Sequence, residues 1–91
     1  NVENAAYPQG WCAETSALAH LIAAGGRRVQ AVAVVGVADE AVTPCGGCRQ
    51  KIREFAAADC PVWVADLNGV RARFTLAELL PASFGPEHLA P

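Results

Sequence analysis

Cys12-Ala13-Glu14 and Pro44-Cys45-Gly46-Gly47-Cys48 decide the fold, because they place three thiols and one carboxylate at the predicted starts of two helices. Helix N-termini offer free amides and a partial positive charge, which favour the thiolate form that binds metal. Three thiolates leave one position of a tetrahedral zinc ion open, whereas a structural zinc usually has all four positions closed by protein. The two segments therefore predict a catalytic zinc site held by Cys12, Cys45 and Cys48.

Glu14 is the candidate proton carrier of this site. A carboxylate beside an open coordination position can take a proton from water and pass it to a leaving group. Taken alone, an acidic residue in a first helical turn is often only a favourable partner for the helix dipole. The position of Glu14 two residues after Cys12, combined with the open metal position, favours the catalytic interpretation.

Cys60 offers an alternative, a closed structural zinc site with four sulfurs. About ten helical residues at about 1.5 Å rise each would put Cys60 roughly 15 Å from Cys48. We therefore expect Cys60 to be a buried small apolar residue. A thiol redox site is a further alternative. His20 and His88 lie outside the pattern, and we expect both to be ordinary polar residues.

Apolar periodicity and breaker residues predict the order helix, strand, helix, strand, strand, helix. The predicted elements are a helix over Cys12–Ala24, a strand over Ala31–Val37, a helix from about Cys45 to Ala58, strands over Pro61–Leu67 and Val70–Phe74, and a short helix that Pro81 ends. This order predicts an α/β fold, a three-layer α-β-α sandwich with a mixed β-sheet. Residues 1–91 are expected to form a single domain.

Three local patterns refine this fold. The continuous apolar run Ala31–Val37 suits a strand that is covered on both faces. Asn68-Gly69 is typical of a tight turn between antiparallel strands. Thr75-Leu76-Ala77-Glu78 has the spacing of a capping box, in which Thr and Glu side chains bind the free amides of a helix start.

Composition excludes several classes of function. The 91 residues carry 7 Lys+Arg against 9 Asp+Glu, a formal net charge of -2, and no basic run exceeds Arg27-Arg28, so a nucleic-acid partner is disfavoured. The longest apolar run, Ala31–Ala38, falls short of the roughly 18 residues that cross a membrane. The Cys45/Cys48 spacing suits metal better than disulfides, and no signal peptide is recognisable. We expect a soluble protein of the reducing cytoplasm.

With these residues in place, the chain resembles the small homotetrameric zinc-dependent cytidine deaminases. Cys, then Glu, then Pro-Cys-x-x-Cys is the known signature of zinc nucleobase deaminases. The matching segments are Asn1-Val2-Glu3-Asn4-Ala5-Ala6-Tyr7, Cys12-Ala13-Glu14, Pro44-Cys45-Gly46-Gly47-Cys48-Arg49-Gln50, and Glu78-Leu79-Leu80-Pro81 followed by Phe84. The likeness covers nearly the whole chain and implies a cytidine deaminase-like fold.

The resemblance implies a hydrolase that deaminates cytidine and deoxycytidine to uridine and deoxyuridine, with release of ammonia, in pyrimidine salvage. Zn²⁺ would be the cofactor and Glu14 the proton shuttle. The implied substrate-binding residues are Asn1 and Glu3 for the ribose hydroxyls, the Ala13 backbone for the base, and Ala5, Tyr7 and Phe84 reaching the pocket of a neighbouring subunit. The expected assembly is therefore a homotetramer with active sites shared between subunits and a small nucleoside as substrate.

Two departures from the family pattern keep alternatives open. Thr15 stands where the family commonly has an Arg that hydrogen-bonds the thiolates, and Arg49 with the two helix N-termini is expected to compensate. Blasticidin-type deaminases can also lack this Arg, so a modified cytosine nucleoside is an alternative substrate. The family's front end, a helix, two strands and an aromatic residue, has no counterpart in this sequence. We therefore expect an N-terminal portion to be absent, and a non-catalytic zinc-stabilised assembly module is the other alternative.

Overall fold

The computed structural model describes residues 1–89 and has the predicted order of elements. The elements are a 3-10 turn Tyr7–Gln9, α1 Ala13–Ala23, β1 Val32–Val35, α2 Gly46–Phe55, β2 Pro61–Asp66, β3 Gly69–Thr75, α3 Leu76–Leu79 and a second 3-10 turn Pro86–His88. No helix in this part of the chain combines the length and apolar character needed to span a bilayer.

The three strands form one mixed sheet in the order β1-β2-β3. β1 runs parallel to β2, with α2 between them in the chain, and β2 pairs antiparallel with β3. The predicted mixed sheet is thus confirmed. The predicted turn is also present, since β3 begins at Gly69 with a φ of 127°, which a glycine adopts without steric cost. Asp66 accepts a hydrogen bond from the Asn68 amide at 2.7 Å and stabilises this turn.

The hydrophobic core lies between one face of the sheet and the helices. Val62 and Val64 of β2 are completely buried, while Trp63 between them is partly exposed. One buried cluster joins all three helices to the sheet. Its members are Leu18, Ile52, Cys60 and Leu76, with Val29, Val32, Phe55 and Ala56 packed against them. The helix starts that carry the thiols are therefore positioned by a shared core.

The opposite face of the sheet is largely exposed in the described residues. Val35 is 66% exposed and Trp63 38% exposed, and the Arg73 guanidinium lies 5.1 Å from the centre of the Trp63 ring. The expectation that β1 is covered on both faces is therefore wrong for residues 1–89, because the buried cluster forms on one side only. The α/β class and mixed sheet are confirmed, and a helical layer on this second face stays a prediction.

α2 ends three residues earlier than predicted, at Phe55 rather than Ala58. Ala56 has extended backbone angles, φ -128° and ψ 148°, and forms a parallel bridge with Val29. The Val29 amide also donates to the Phe55 carbonyl oxygen at 2.8 Å. These contacts end the helix and hold the segment before β1 against the end of α2.

The capping box at the start of α3 is confirmed. Thr75 Oγ1 accepts from the Glu78 amide at 3.2 Å, and Glu78 Oε1 accepts from the Thr75 amide at 3.0 Å. The backbone amide and then the hydroxyl of Thr75 lower the pKa of the Glu78 carboxyl. These bonds start α3 directly after β3, so the chain turns back over the core without a loop.

Ile52→Val should lower the free energy of unfolding by about 0.5–1.5 kcal/mol, since a buried methyl group is removed. Ile52 is 1% exposed and lies in the buried cluster. Leu67→Ala, at a position 80% exposed, is the control and should stay within about 0.5 kcal/mol of wild type. Urea unfolding at constant metal content measures the free energy of unfolding of both variants. Equal losses in the two variants would contradict this placement of the core.

Candidate metal centre

The sulfur atoms of Cys12, Cys45 and Cys48 all lie within 4.8 Å of one another. Cys12 is the N-cap residue of α1 and Cys45 is that of α2, while Cys48 lies on the first turn of α2. The predicted placement of the thiols at two helix starts is confirmed. Cys12 and Cys45 are exposed and Cys48 is 1% exposed, so the cluster sits at the protein surface with one buried sulfur.

This cluster fits a zinc ion in donor type and in spacing. A tetrahedral zinc with Zn–S bonds of about 2.3 Å places its sulfurs roughly 3.8 Å apart, which is compatible with the observed upper limit of 4.8 Å. All four cysteines are free thiols. Cys60 is buried in the hydrophobic cluster, as predicted, and lies outside the thiol group found among residues 1–89. The four-sulfur alternative therefore has no support here.

The two cysteines of α2 have opposite pKa shifts. The Cys45 side chain makes no regular capping hydrogen bond, yet the Cys48 backbone amide near its sulfur is the main cause that lowers its pKa. Burial raises the pKa of Cys48 to about 11, opposed by the Thr15 hydroxyl and reinforced by the Cys12 sulfur and the Glu14 charge. In the metal-free chain Cys48 therefore holds its proton, which an incoming metal ion must displace.

Arg49 makes no hydrogen bond to these sulfurs in the described part of the chain, and its expected compensation of their charge stays a prediction. Its guanidinium donates to the Pro44 carbonyl at 2.6 Å, the Leu79 carbonyl at 2.7 Å and the Thr43 hydroxyl at 2.8 Å. A planar guanidinium satisfies three acceptors at once because its donors are fixed in a fork. Arg49 thus fastens the segment before Cys45 to the end of α3.

Thr15 and Lys51 also lie beside the thiols, although no sequence motif indicated a role for either residue at this site. The Thr15 hydroxyl lies 3.7 Å from the Cys48 sulfur, and Lys51 Nζ donates to this hydroxyl at 2.8 Å. A sequence signal existed, since Lys51 follows Cys48 by three residues and so lies on the same helix face. Nothing local indicated that Thr15 of α1 would meet that face.

Glu14 lies in the first turn of α1 with a half-buried side chain. It is near enough to the thiols for its negative charge to raise the pKa of Cys48. Glu14 and Ala13 also line a groove of about 770 Å³ between α1 and β1. Glu14 therefore lies near the thiols and also contributes to the lining of the groove.

The first residues of the chain are held next to the thiol cluster. Val2 and Trp11 exchange two backbone hydrogen bonds of 2.8 and 2.9 Å, directly before Cys12. Asn1 Nδ2 donates to Glu3 Oε1 at 2.6 Å, so these two candidate ribose ligands already contact each other. Neither side chain is part of the described lining of the groove beside Glu14.

The candidate contacts to a neighbouring subunit are exposed. Tyr7 is 87% exposed and Phe84 57% exposed, and Ala5 is exposed as well. The Phe84 ring stacks on His88 with centroids 5.1 Å apart, and Gln50 of α2 donates to the Phe84 carbonyl at 2.9 Å. Their surfaces are open to another molecule, and their roles in substrate binding stay predictions.

Comparison with known proteins agrees with this geometry. Residues 1–64 match the cytidine and deoxycytidylate deaminase zinc-binding region. The chain is 41% identical over 90 residues to a cytidine deaminase of Sporosarcina psychrophila, covering 99% of this chain and 66% of that protein. It is 42% identical over 89 residues to a cytidine deaminase of Halalkalibacterium halodurans, covering 98% of this chain and 67% of the relative.

A solved structure shows the same fold. The crystal structure of cytidine deaminase from Burkholderia pseudomallei superposes with a TM-score of 0.84 at 39% identity, covering 92% of this chain and 68% of the other. A fold of this kind with three thiols at two helix starts defines a zinc-binding deaminase domain. The chain belongs to the cytidine and deoxycytidylate deaminase family. It spans about two thirds of the length of these relatives, 66% and 67% in the two named first.

Cys45→Ala should release zinc and lower the melting temperature of the metal-loaded protein, because metal binding free energy is coupled to folding. Cys60→Ala is the matched control, since it also removes a thiol but should retain one zinc per chain. Metal analysis and thermal melting with and without chelator measure both variants. The assignment would be contradicted by full zinc in Cys45→Ala or by zinc loss in Cys60→Ala.

Proposed function

We propose that this chain forms a single zinc domain of a hydrolase that deaminates cytidine and deoxycytidine to uridine and deoxyuridine. The observation that carries the proposal is the group of three free thiols beside Glu14, in a chain with the family's zinc-binding region. Three protein ligands leave a coordination position for substrate chemistry, and a fourth thiol, Cys60, is buried elsewhere.

The net reaction breaks the bond between C4 of cytosine and its amino group and forms a C4–oxygen bond with water. Zinc, when bound, supplies a Lewis acid that makes water nucleophilic near neutral pH. Glu14 carries the two protons of the attacking water, one to ring N3 and one to the amino group, so that C4 keeps the oxygen as a carbonyl and the amine leaves as ammonia. Its place in the first turn of α1, adjacent to Cys12, supports this role.

Substrate recognition would use the residues held before Cys12. Asn1 and Glu3 bind the ribose hydroxyls, replacing the hydrogen bond that they make to each other. The backbone of Ala13 binds the base. The paired backbone of Val2 and Trp11, which keeps this segment at the metal centre, supports the assignment. Such polar contacts discriminate a nucleoside from a free base, because unpaired polar groups are unfavourable.

The proposed assembly is a homotetramer that shares its active sites, and the proposed location is the cytoplasm, in pyrimidine salvage. Tyr7, Phe84 and Ala5 would enter the pocket of a neighbouring subunit, with the Phe84 ring on the pyrimidine. Support comes from the exposure of both rings, which leaves them accessible to a neighbouring subunit.

A modified cytosine nucleoside is the second candidate substrate, favoured by Thr15 in place of the Arg common in the family. A panel of cytidine, deoxycytidine and a bulky aminoacyl cytosine nucleoside separates the two candidates. We expect turnover of cytidine and deoxycytidine in preference to the bulky compound. Turnover of the bulky compound alone would replace the first assignment with the second.

Glu14→Gln should retain zinc and reduce kcat by about 10²–10⁴-fold, the usual contribution of a positioned general acid–base. The fall in near-ultraviolet absorbance of cytidine gives the rate, and metal analysis gives the zinc content. Glu40→Gln, which neutralises an exposed carboxylate outside the centre, is the control and should match wild type.

Two results would overturn this proposal. Unchanged turnover in Glu14→Gln would remove Glu14 from the chemistry. A wild-type chain that holds one zinc but deaminates none of the nucleosides would favour a non-catalytic, zinc-stabilised assembly module instead.

A further inference from the structure

The Thr15 hydroxyl bridges a cation and a buried sulfur. Lys51 Nζ lies 2.8 Å from Thr15 Oγ1, and this oxygen lies 3.7 Å from the Cys48 sulfur. Lys51 is the only lysine in the sequence. The three groups come from two helices that meet at their starts, so helix packing sets their positions.

The direction of both hydrogen bonds follows from the chemistry of the groups. A lysine ammonium has donors and no acceptor, so Thr15 must accept from Lys51. A hydroxyl has a single proton, and the Cys48 sulfur is its remaining recorded partner among residues 1–89. Once a metal is bound, the Cys48 sulfur is a thiolate that can only accept, so Thr15 donates to it, and the ammonium polarises the hydroxyl in the direction that strengthens this bond.

Cys48 needs such a donor more than the other two sulfurs do. Its side chain is 1% exposed, whereas Cys12 and Cys45 are exposed to water. A buried thiolate without a hydrogen-bond donor is strongly unfavourable. The nearby Arg49 is committed to two carbonyls and the Thr43 hydroxyl, so it does not supply that donor.

We propose that Thr15 and Lys51 act as a positioning pair that stabilises the Cys48 thiolate in the metal-bound protein and so sets the affinity for metal. The pair combines a short donor on α1 with a positive charge on α2. The inference rests on the thiol cluster as the metal centre and does not depend on which nucleoside is the substrate.

Titration of the chelator-treated chain with Co²⁺ and with Zn²⁺ tests the pair without any activity measurement. Sulfur-to-cobalt charge-transfer absorption reports on the thiolates directly, and competition with a chromophoric chelator gives the zinc affinity. Thr15→Val keeps the shape but removes the hydroxyl. It should weaken zinc binding about 10–100-fold, as is typical for loss of a group that orients a metal ligand, and should shift the charge-transfer bands.

Four further variants test whether Lys51 acts on Cys48 through the Thr15 hydroxyl, a path that we call the relay. Thr15→Ser restores the hydroxyl and should restore both affinity and bands. Lys51→Met should weaken binding less than Thr15→Val, and the double variant should be no weaker than Thr15→Val alone, because the lysine acts through the hydroxyl. Arg28→Met, which removes one exposed positive charge after α1, is the control for net charge and should match wild type.

The possible outcomes distinguish a failure of the Thr15–Lys51 proposal from a failure of the metal centre itself. Wild-type affinity and bands in Thr15→Val would overturn the pair while leaving the metal centre intact. Additive losses in the double variant, or equal losses in Arg28→Met and Lys51→Met, would overturn the relay through Thr15. If wild type takes up no metal, both the centre and the pair fail. Thermal melting of the metal-free variants should be unchanged, and a large loss there would assign Thr15 to packing instead.

Discussion

The convergence of two helix starts on one group of sulfur atoms is the constraint on which this structure depends. Cys12 and Cys45 are the residues at which α1 and α2 begin, so their sulfurs lie within 4.8 Å only because both helices meet at the same end. Leu18 and Ile52, in one buried cluster, hold the helices together further along. The ligand set is therefore built by helix packing, and side chains on rigid elements hold their geometry better than side chains on loops.

Charge and burial at this convergence connect the metal to the stability of the whole chain. Without metal, Cys48 is a buried neutral thiol whose pKa is raised to about 11, and it packs as a small apolar residue. With metal, the same sulfur is a thiolate that must be compensated by the ion and by nearby donors. A chain of 91 residues with one sheet face exposed has a small core. Because metal binding is coupled to folding, a bound ion would add its binding free energy to the stability of this chain.

Local signals were sufficient for the order of elements, the helix starts at the thiols and the Thr75–Glu78 capping box, because each depends on residues that are close together in the sequence. The contacts of Thr15 were not predictable in this way. They join residues 33 and 36 positions apart, on faces that only the packed helices bring together. Arg49 was assigned to the sulfurs by proximity in sequence, yet it reaches a carbonyl 30 positions away. The apolar run of β1 likewise indicates that both faces of the strand tolerate burial. It does not indicate which part of the protein covers each face.

The backbone pairing of Val2 with Trp11 has a mechanical consequence. Its two hydrogen bonds close a loop whose last residue adjoins Cys12, so tension on the first residues is transmitted across one peptide unit to the first sulfur. Any coupling of binding free energy along this path would be reciprocal: a molecule that bound Asn1 and Glu3 more tightly in the presence of the ion would raise the affinity for the ion by the same factor. The Val2–Trp11 pairing thus joins the chain's opening residues to the first sulfur through the backbone alone.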